Sequence, residues 1–278
     1  MNGKNCIVTG ANSGIGKVVA KELSRMGGRV TLVCRNQVKG EIARNEIENA
    51  TGNKSVELIL SDLSDLESVQ ALAKNYKGAH TKLNVLVNNA GLIMGKRTAT
   101  VDGLETTFVV NYLSHFLLTS LLLDLLRNSA PSRVVNVTSD AHFRGHMSFE
   151  DLQEVRNYGV MRAYCQSKLA QVLFTYELAE RLKGSGVTVN CVHPGAVRTR
   201  WGDEAGALGI GIRVARPFML SPERGAETPI YLASSPDVEG VTGKFFSKKK
   251  ERQSSSESYD QTEWKKLWEV SMKLAGLN

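Results

Sequence analysis

The stretch AYCQSKLAQVLF, residues 163–174, carries Tyr164 and, four places later, Lys168. Leu169 and Val172 continue a helical rhythm around them, which predicts that the tyrosine and the lysine share one helix face. A phenol titrates at about pH 10, and a nearby ammonium group would stabilise the phenolate and lower its pKa. Such a tyrosine could exchange a proton with an alcohol or carbonyl oxygen. The alternative is a solvated helix with Tyr164 half in the core.

The elements that must position this pair alternate between β-branched runs and amphipathic stretches, which predicts an α/β fold with a doubly wound parallel sheet of about seven strands. The predicted strands are 5–9, 29–34, 56–60, 83–88, 133–138, 187–192 and 242–246. The predicted helices are near 15–27, 38–49, 65–77, 102–128, 162–183, 222–235 and 260–275. No linker or repeat divides the 278 residues, so we expect a single domain, 1–278. In such a sheet ligands bind beyond the carboxyl ends of the strands.

The chain has a net charge of +7, but its basic residues are scattered, and the pattern gives no reason to expect a nucleic-acid partner. The densest cluster is Lys244, Lys248, Lys249, Lys250 and Arg252. We interpret it as a solvated loop, with peripheral contact to an anionic membrane as the second interpretation. The most apolar run, 112–126, is too short to cross a bilayer.

The cysteines and the N-terminal sequence indicate the cellular compartment in which we expect the protein. Cys6, Cys34, Cys165 and Cys191 show no C-x-x-C spacing, which favours a reducing compartment over a disulfide scaffold. The five histidines are dispersed, so we expect no metal site. The first strand starts at residue 5, which we take to leave no room for a signal peptide or anchor, and we expect a cytoplasmic protein.

A glycine-rich turn, TGANSGIGK, follows the first strand. Gly10 would permit a sharp exit, Gly14 would let the backbone approach a pyrophosphate, and Gly16 would let the next helix pack on the sheet. The free N–H groups of that helix would face the phosphates. A plain tight turn could use the same residues, but the position between a first strand and a helix favours a dinucleotide.

The second strand ends in LVCRN, which places Arg35 where an acid usually accepts the ribose 2′-hydroxyl of NAD. A guanidinium can instead hold a 2′-phosphate by forked, charge-assisted bonds. This exchange predicts NADP(H) as the cofactor, unless Arg35 is simply a surface residue.

The other strand ends carry further polar residues. Asp62 after the third strand could cap a helix or accept a hydrogen bond from an adenine amino group, and Asp65 is an equally plausible cap. NNAG after the fourth strand offers small residues for a flat ligand and amides that could bridge strands. Asn111 lies inside an apolar helix, where it requires hydrogen-bond partners.

Together these motifs resemble the short-chain dehydrogenase/reductase family over nearly the whole chain: TGANSGIG, NNAG, Asn111, Ser139, YCQSK and HPG. Longer stretches, including VDGLETTFVVNYLSHFLLT and KLWEVSMKLAGL, are most similar to the retinol dehydrogenase branch and to the oxidoreductase domain of WW-domain oxidoreductases. The resemblance implies a Rossmann fold and a catalytic tetrad of Asn111, Ser139, Tyr164 and Lys168. It implies that Asn111 supports a water linked to Lys168.

The same resemblance implies a set of cofactor-binding residues: Gly10, Asn12, Ser13, Gly14, Ile15, Gly16, Arg35, Asn36, Asp62, Leu63, Asn89, Ala90, Gly91, Tyr164, Lys168, Pro194, Gly195, Val197 and Thr199. It also implies that the insertion at 142–159 helps to wall the substrate pocket. Family members often pair through the helices predicted at 102–128 and 162–183, so a homodimer or tetramer is one expectation. The apolar faces of those helices could equally be core.

The substrate is expected to be a small hydrophobic alcohol or carbonyl compound. The segment 196–220 contains Trp201, Leu208, Ile210, Ile212, Phe218, Met219 and Leu220 among glycines. Such a segment fits an apolar lid, or a packed surface helix. Retinal, lipid-derived aldehydes and steroid ketones all fit. The alternatives are a carbonyl reductase or steroid dehydrogenase of the same fold, and a regulator that binds NADP without chemistry.

Overall fold

The computed structural model describes residues 1–198 and 202–277. Its described residues form one eight-stranded sheet with the order β3-β2-β1-β4-β5-β6-β7-β8. The first seven strands are parallel and β8 is antiparallel to β7. The strands are β1 (Asn5–Thr9), β2 (Arg29–Cys34), β3 (Val56–Leu60), β4 (Val85–Asn88), β5 (Ser132–Val137), β6 (Val187–His193), β7 (Lys244–Ser247) and β8 (Lys250–Arg252).

Helices cover both faces of this sheet and confirm the predicted doubly wound α/β class. They are α1 (Gly14–Arg25), α2 (Gln37–Thr51), α3 (Leu66–Ala79), α4 (Thr106–Phe108), α5 (Ser114–Leu121), α6 (Leu123–Asn128), α7 (Val160–Arg181), α8 (Ala207–Ala215), α9 (Pro222–Ser234) and α10 (Gln261–Leu274). One core lies between the sheet and the layer that contains α3, α5, α7 and α10, and a second lies under α1, α2 and α9. The central strands are therefore buried on both faces, as parallel strands require.

The helix predicted at 102–128 is not continuous. It comprises α4, a π-helical turn at Val109–Leu113, α5, and α6 after a break at Leu122. A π turn inserts one residue into the helical ladder, and hydrophobic spacing alone does not reveal it. This turn contains Asn111, one of the predicted site residues.

The eighth strand was not predicted. Lys248 and Lys249 both have positive φ, 52° and 61°, and form the two-residue turn between β7 and β8. Two-residue hairpin turns usually contain Asn-Gly or Gly, and a run of lysines does not predict one. The basic cluster is thus a hairpin in which Lys244 pairs with Glu251 and Lys249 with Glu227.

Among the described residues, none of the helices has both the length and the apolarity needed to span a bilayer. All four cysteines are buried free thiols.

Candidate active site

A cleft of about 670 Å³ opens beyond the carboxyl ends of the parallel strands. It lies across the boundary between β1 and β4, where the strand order reverses, and this is where α/β sheets of this type bind ligands. Most of the predicted site residues line it: Gly10, Asn12, Ser13, Gly14, Ile15, Arg35, Asn36, Asp62, Leu63, Asn89, Ala90, Gly91, Ser139, Tyr164, Lys168, Pro194, Gly195 and Val197. The structure therefore brings residues from six strand ends to one cleft.

The glycine turn forms the floor of the cleft. Gly10 and Gly14 have positive φ, 66° and 56°, which side chains rarely adopt. Gly16 supports the floor from behind, because a Cβ there would lie 2.4 Å from Asn89 Nδ2 and 2.5 Å from the Gly10 carbonyl oxygen. Ser13 precedes α1 and its side chain makes no capping bond within the described residues. The N–H groups at the start of α1 are thus available to an anionic group, as a dinucleotide pyrophosphate would need.

Thr9, at the end of β1, joins this turn to the end of β4. Its hydroxyl oxygen accepts hydrogen bonds from the N–H groups of Asn89 at 2.9 Å and Ala90 at 3.0 Å. The Asn89 amide donates to the Thr9 carbonyl at 2.8 Å, and the buried Asn88 amide donates to Asn136 of β5 at 2.9 Å. These bonds realise the predicted bridging of strands by the amides of NNAG. Thr9 itself was missed, since a strand threonine gives no distinctive signal.

Arg35 and Asp62 line the end of the cleft beside β2 and β3. Arg35 is exposed, and its Nη2 lies 3.0 Å from Glu204 Oε1. Asp65 caps α3 by accepting from the N–H groups of Glu67 and Ser68, which settles the choice left open by the sequence. Asp62 accepts from Ser64 through Oδ1 and faces the cleft.

Three of the predicted catalytic side chains meet at the opposite end. Ser139 and Tyr164 both line this end of the cleft, and Ser139 Oγ accepts from the N–H of Ala141 at 3.1 Å. Lys168 Nζ lies 5.7 Å from the centre of the Tyr164 ring, one helical turn away on α7. The lysine is nearly fully buried and donates to Gln171 Oε1 at 2.9 Å and to the Val137 carbonyl at 3.3 Å.

The pKa values of this pair differ from those predicted from the spacing. Burial raises the pKa of Tyr164 to about 12, although the polar side chain of Ser139 acts in the opposite direction. Burial also lowers the pKa of Lys168 to about 7. Burial disfavours phenolate and ammonium alike, so these protein groups do not give the acidified phenol that proximity to Lys168 predicted. At neutral pH Tyr164 therefore holds its proton and can donate it.

Asn111 does not line the cleft but supports it. Its Oδ1 accepts from the Leu92 N–H at 2.8 Å, and its Nδ2 donates to the Leu92 carbonyl at 2.9 Å and to Ser167 Oγ at 3.0 Å. The backbone carbonyl of Asn111 lies 3.1 Å from His115 Nδ1. The role of Asn111 in holding a water stays a prediction.

Two buried histidines were missed because isolated histidines carry no spacing signal. His115 lies behind Lys168, close to Thr9 Oγ1 and Gln171, and burial lowers its pKa to about 3, so it is neutral. His142 is fully buried and joins two distant segments. Its Nδ1 lies 2.7 Å from the Ser139 carbonyl, and its Nε2 accepts from the N–H of Ser255 at 3.2 Å.

The remaining predictions fare differently. Thr199 and Trp201 fall outside the described residues. Residues 142–159, which were expected to wall the pocket, are not among the described residues that line the cleft, although their neighbours Ala141 and Met161 are. The segment packs on α7, where Gln166 bonds to Ser148 and Leu152, and on the loop before α4, where the Glu105 N–H donates to Gln153.

The segment predicted as a lid, 196–220, presents acidic residues to the cleft, Asp203 and Glu204. Its apolar residues Leu208, Ile210 and Phe218 are exposed, whereas Met219 packs with Ala205 toward Tyr164.

Fold and cleft together are those of a nucleotide-dependent oxidoreductase, and residues 4–208 match the short chain dehydrogenase family. The chain belongs to this family, and it is an oxidoreductase that acts on CH–OH groups.

Curated relatives confirm the resemblance to the retinol dehydrogenase branch. The chain is 44% identical to retinol dehydrogenase 12 of Bos taurus, over 99% of this chain and 87% of the relative. It is 45% identical to retinol dehydrogenase 13 of Mus musculus, over 99% and 84%.

Solved structures of similar proteins share this fold. An uncharacterised protein from Mycobacterium paratuberculosis superimposes with a TM-score of 0.81 at 33% identity, covering 99% of this chain and 94% of that one. The RhlG/NADP active-site complex of Pseudomonas aeruginosa gives a TM-score of 0.71 at 27% identity, over 89% and 95% of the two chains.

Proposed function

We propose that this chain interconverts an alcohol and an aldehyde or ketone with NADP(H), on a hydrophobic substrate that is retinal-like or lipid-derived. The observation that carries the proposal is that Ser139, Tyr164 and Lys168 line the same cleft as the glycine turn. Arg35 at the end of β2 supports the choice of NADP(H), and so does the complex of the related RhlG with NADP. The similarity of the chain to retinol dehydrogenases 12 and 13 supports a retinal-like substrate.

Each residue then has a defined task. A bound coenzyme would supply or accept the hydride, held by the glycine turn, Arg35 and the end of α1. Ser139 would donate a hydrogen bond to the carbonyl oxygen and polarise it. Tyr164, protonated at neutral pH, would give its proton to that oxygen during reduction. Lys168 has a pKa near neutrality, so it can take up or release a proton beside Tyr164 in both the reduction and the oxidation.

The test is a coenzyme-consumption screen over retinal, alkanals, aromatic aldehydes and steroid ketones, with NADPH and NADH in parallel. We expect the fastest turnover with NADPH and a long apolar aldehyde. Faster turnover of steroid ketones would favour the steroid dehydrogenase alternative. NADPH binding without consumption of any substrate would favour the regulator. The cytoplasmic location and a homodimeric or tetrameric state stay predictions.

A further inference from the structure

Arg35 forms an ion pair with a carboxylate from across the cleft. Glu204, 169 positions further along the chain, lies with Oε1 3.0 Å from Arg35 Nη2. Both side chains are exposed, 59% and 43%, and both residues line the cleft. The guanidinium predicted to hold a 2′-phosphate is thus in contact with a carboxylate.

Contacts with the loop after β4 fix the backbone of Glu204 and therefore the position from which its carboxylate extends. The Glu204 carbonyl accepts from the N–H of Gly95 at 2.8 Å. Gly95 lies so close that a Cβ there would be 2.6 Å from the carbonyl carbon of Ala205. Ala205 is buried against Ile93 in the loop that follows β4. The acid therefore approaches the end of β2 from the opposite side of the cleft.

We propose that Glu204 competes with the 2′-phosphate of NADP(H) for Arg35 and thereby sets how strongly the enzyme discriminates against NAD(H). This inference rests on the proposed function. Glu204 bonds to Arg35 through Nη2, and a phosphate dianion drawn to the same guanidinium would be repelled by this carboxylate, so NADP(H) would bind at the expense of the ion pair. A 2′-hydroxyl carries no charge and requires no displacement. An exposed ion pair is weak enough to be displaced by a ligand that makes charge-assisted bonds.

Asp203 provides a matched control. It lines the same cleft and carries the same charge, but it pairs with Arg216 instead of Arg35. Asp203→Asn and Glu204→Gln each remove one negative charge from the same segment, and only the second frees Arg35. Far-UV circular dichroism and thermal melting would establish that both variants keep the fold.

The experiment measures NADPH and NADH binding to the wild type and both variants by coenzyme fluorescence, without substrate. For Glu204→Gln we expect NADPH to bind about two- to five-fold more tightly, the range that one exposed ion pair supplies. NADH affinity and both Asp203→Asn affinities should change less than this. Equal gains for both coenzymes, equal gains in the two variants, or no gain for NADPH would overturn the proposal. A wild type that binds NADH as tightly as NADPH would instead overturn the proposed coenzyme.

Discussion

The side-chain amide of Asn111 hydrogen-bonds both backbone groups of Leu92, accepting from its N–H and donating to its carbonyl. A third bond runs from Asn111 to Ser167, on the helix that carries Tyr164 and Lys168. One residue of a π turn thus fixes the loop after β4 to the helix that presents the reactive side chains.

Replacing Asn111 with leucine should therefore destabilise the fold. Asn111→Leu leaves the half-buried Leu92 backbone groups and the buried Ser167 hydroxyl without this partner, and we expect the free energy of unfolding to fall by about 2–4 kcal/mol. Urea denaturation measures the loss. Asn45→Ala, on the exposed face of α2, serves as the control and should cost no more than about 0.5 kcal/mol. Equal losses in the two variants would contradict the supporting role of Asn111.

Tyr164→Phe keeps the ring and removes the transferable proton. We expect turnover to fall at least about 100-fold, as for loss of a general acid, while NADPH affinity and melting temperature stay close to wild type. Tyr231→Phe on α9 is half-buried, lies outside the cleft and should be fully active. Turnover of Tyr164→Phe at the wild-type rate would show that the proton comes from another group.

Arg35→Asp should move coenzyme preference from NADPH toward NADH, because a carboxylate repels the 2′-phosphate and can accept from a 2′-hydroxyl. We expect a change of at least about tenfold in the ratio of kcat/KM values for the two coenzymes. Arg29→Asp makes the same charge change at the other, exposed end of β2 and should leave the ratio unaltered. Unchanged kinetics of Arg35→Asp with both coenzymes would refute the role given to Arg35.

Gly16 and Gly78 both lie in helices but differ in the space around their Cα atoms. At Gly16 a Cβ would meet Asn89 and the Gly10 carbonyl, whereas at Gly78 on α3 it would meet nothing within 4 Å. Gly16→Ala should cost about 1–3 kcal/mol and weaken coenzyme binding, since it displaces the turn. Gly78→Ala should stabilise the fold by about 0.5–1 kcal/mol. Thermal melting and coenzyme titration distinguish the two; a stabilised, binding-competent Gly16→Ala would show that the turn can relax.

The depressed pKa of Lys168 predicts how stability depends on pH. Between its folded pKa of about 7 and its ordinary value of 10.5, the unfolded chain keeps a proton that the folded chain has lost. The wild type must then gain stability relative to Lys168→Met as pH rises through this window, by up to about 1.4 kcal/mol per unit. Urea denaturation of both proteins at pH 7 and pH 9.5 measures the gain. A difference that is the same at both pH values would show that Lys168 titrates normally.

The strand ends were predictable because hydrophobic spacing fixes where parallel strands stop and which residues follow them. This is how Arg35, Asp62 and Ser139 could be assigned to one edge of the sheet. The π turn around Asn111 and the hairpin at Lys248 were not predictable. Each depends on tertiary contacts that override local signals.

The electrostatics of the site were also beyond the sequence. Spacing places Lys168 near Tyr164, but whether a neighbouring charge or burial dominates a pKa depends on solvent access, which spacing does not encode. The ion pair of Arg35 with Glu204 joins residues 169 positions apart and had no local signature.

The double attachment of His142 has a consequence for the chemistry. Through its two ring nitrogens, the peptide that carries Ser139 is anchored to Ser255, in a stretch that lies beyond the residues 4–208 shared with the family at large. Shortening the chain before Ser255 would remove that anchor. The position of Ser139, and with it the hydrogen bond to the substrate oxygen, would then be disturbed without any change to a residue of the cleft.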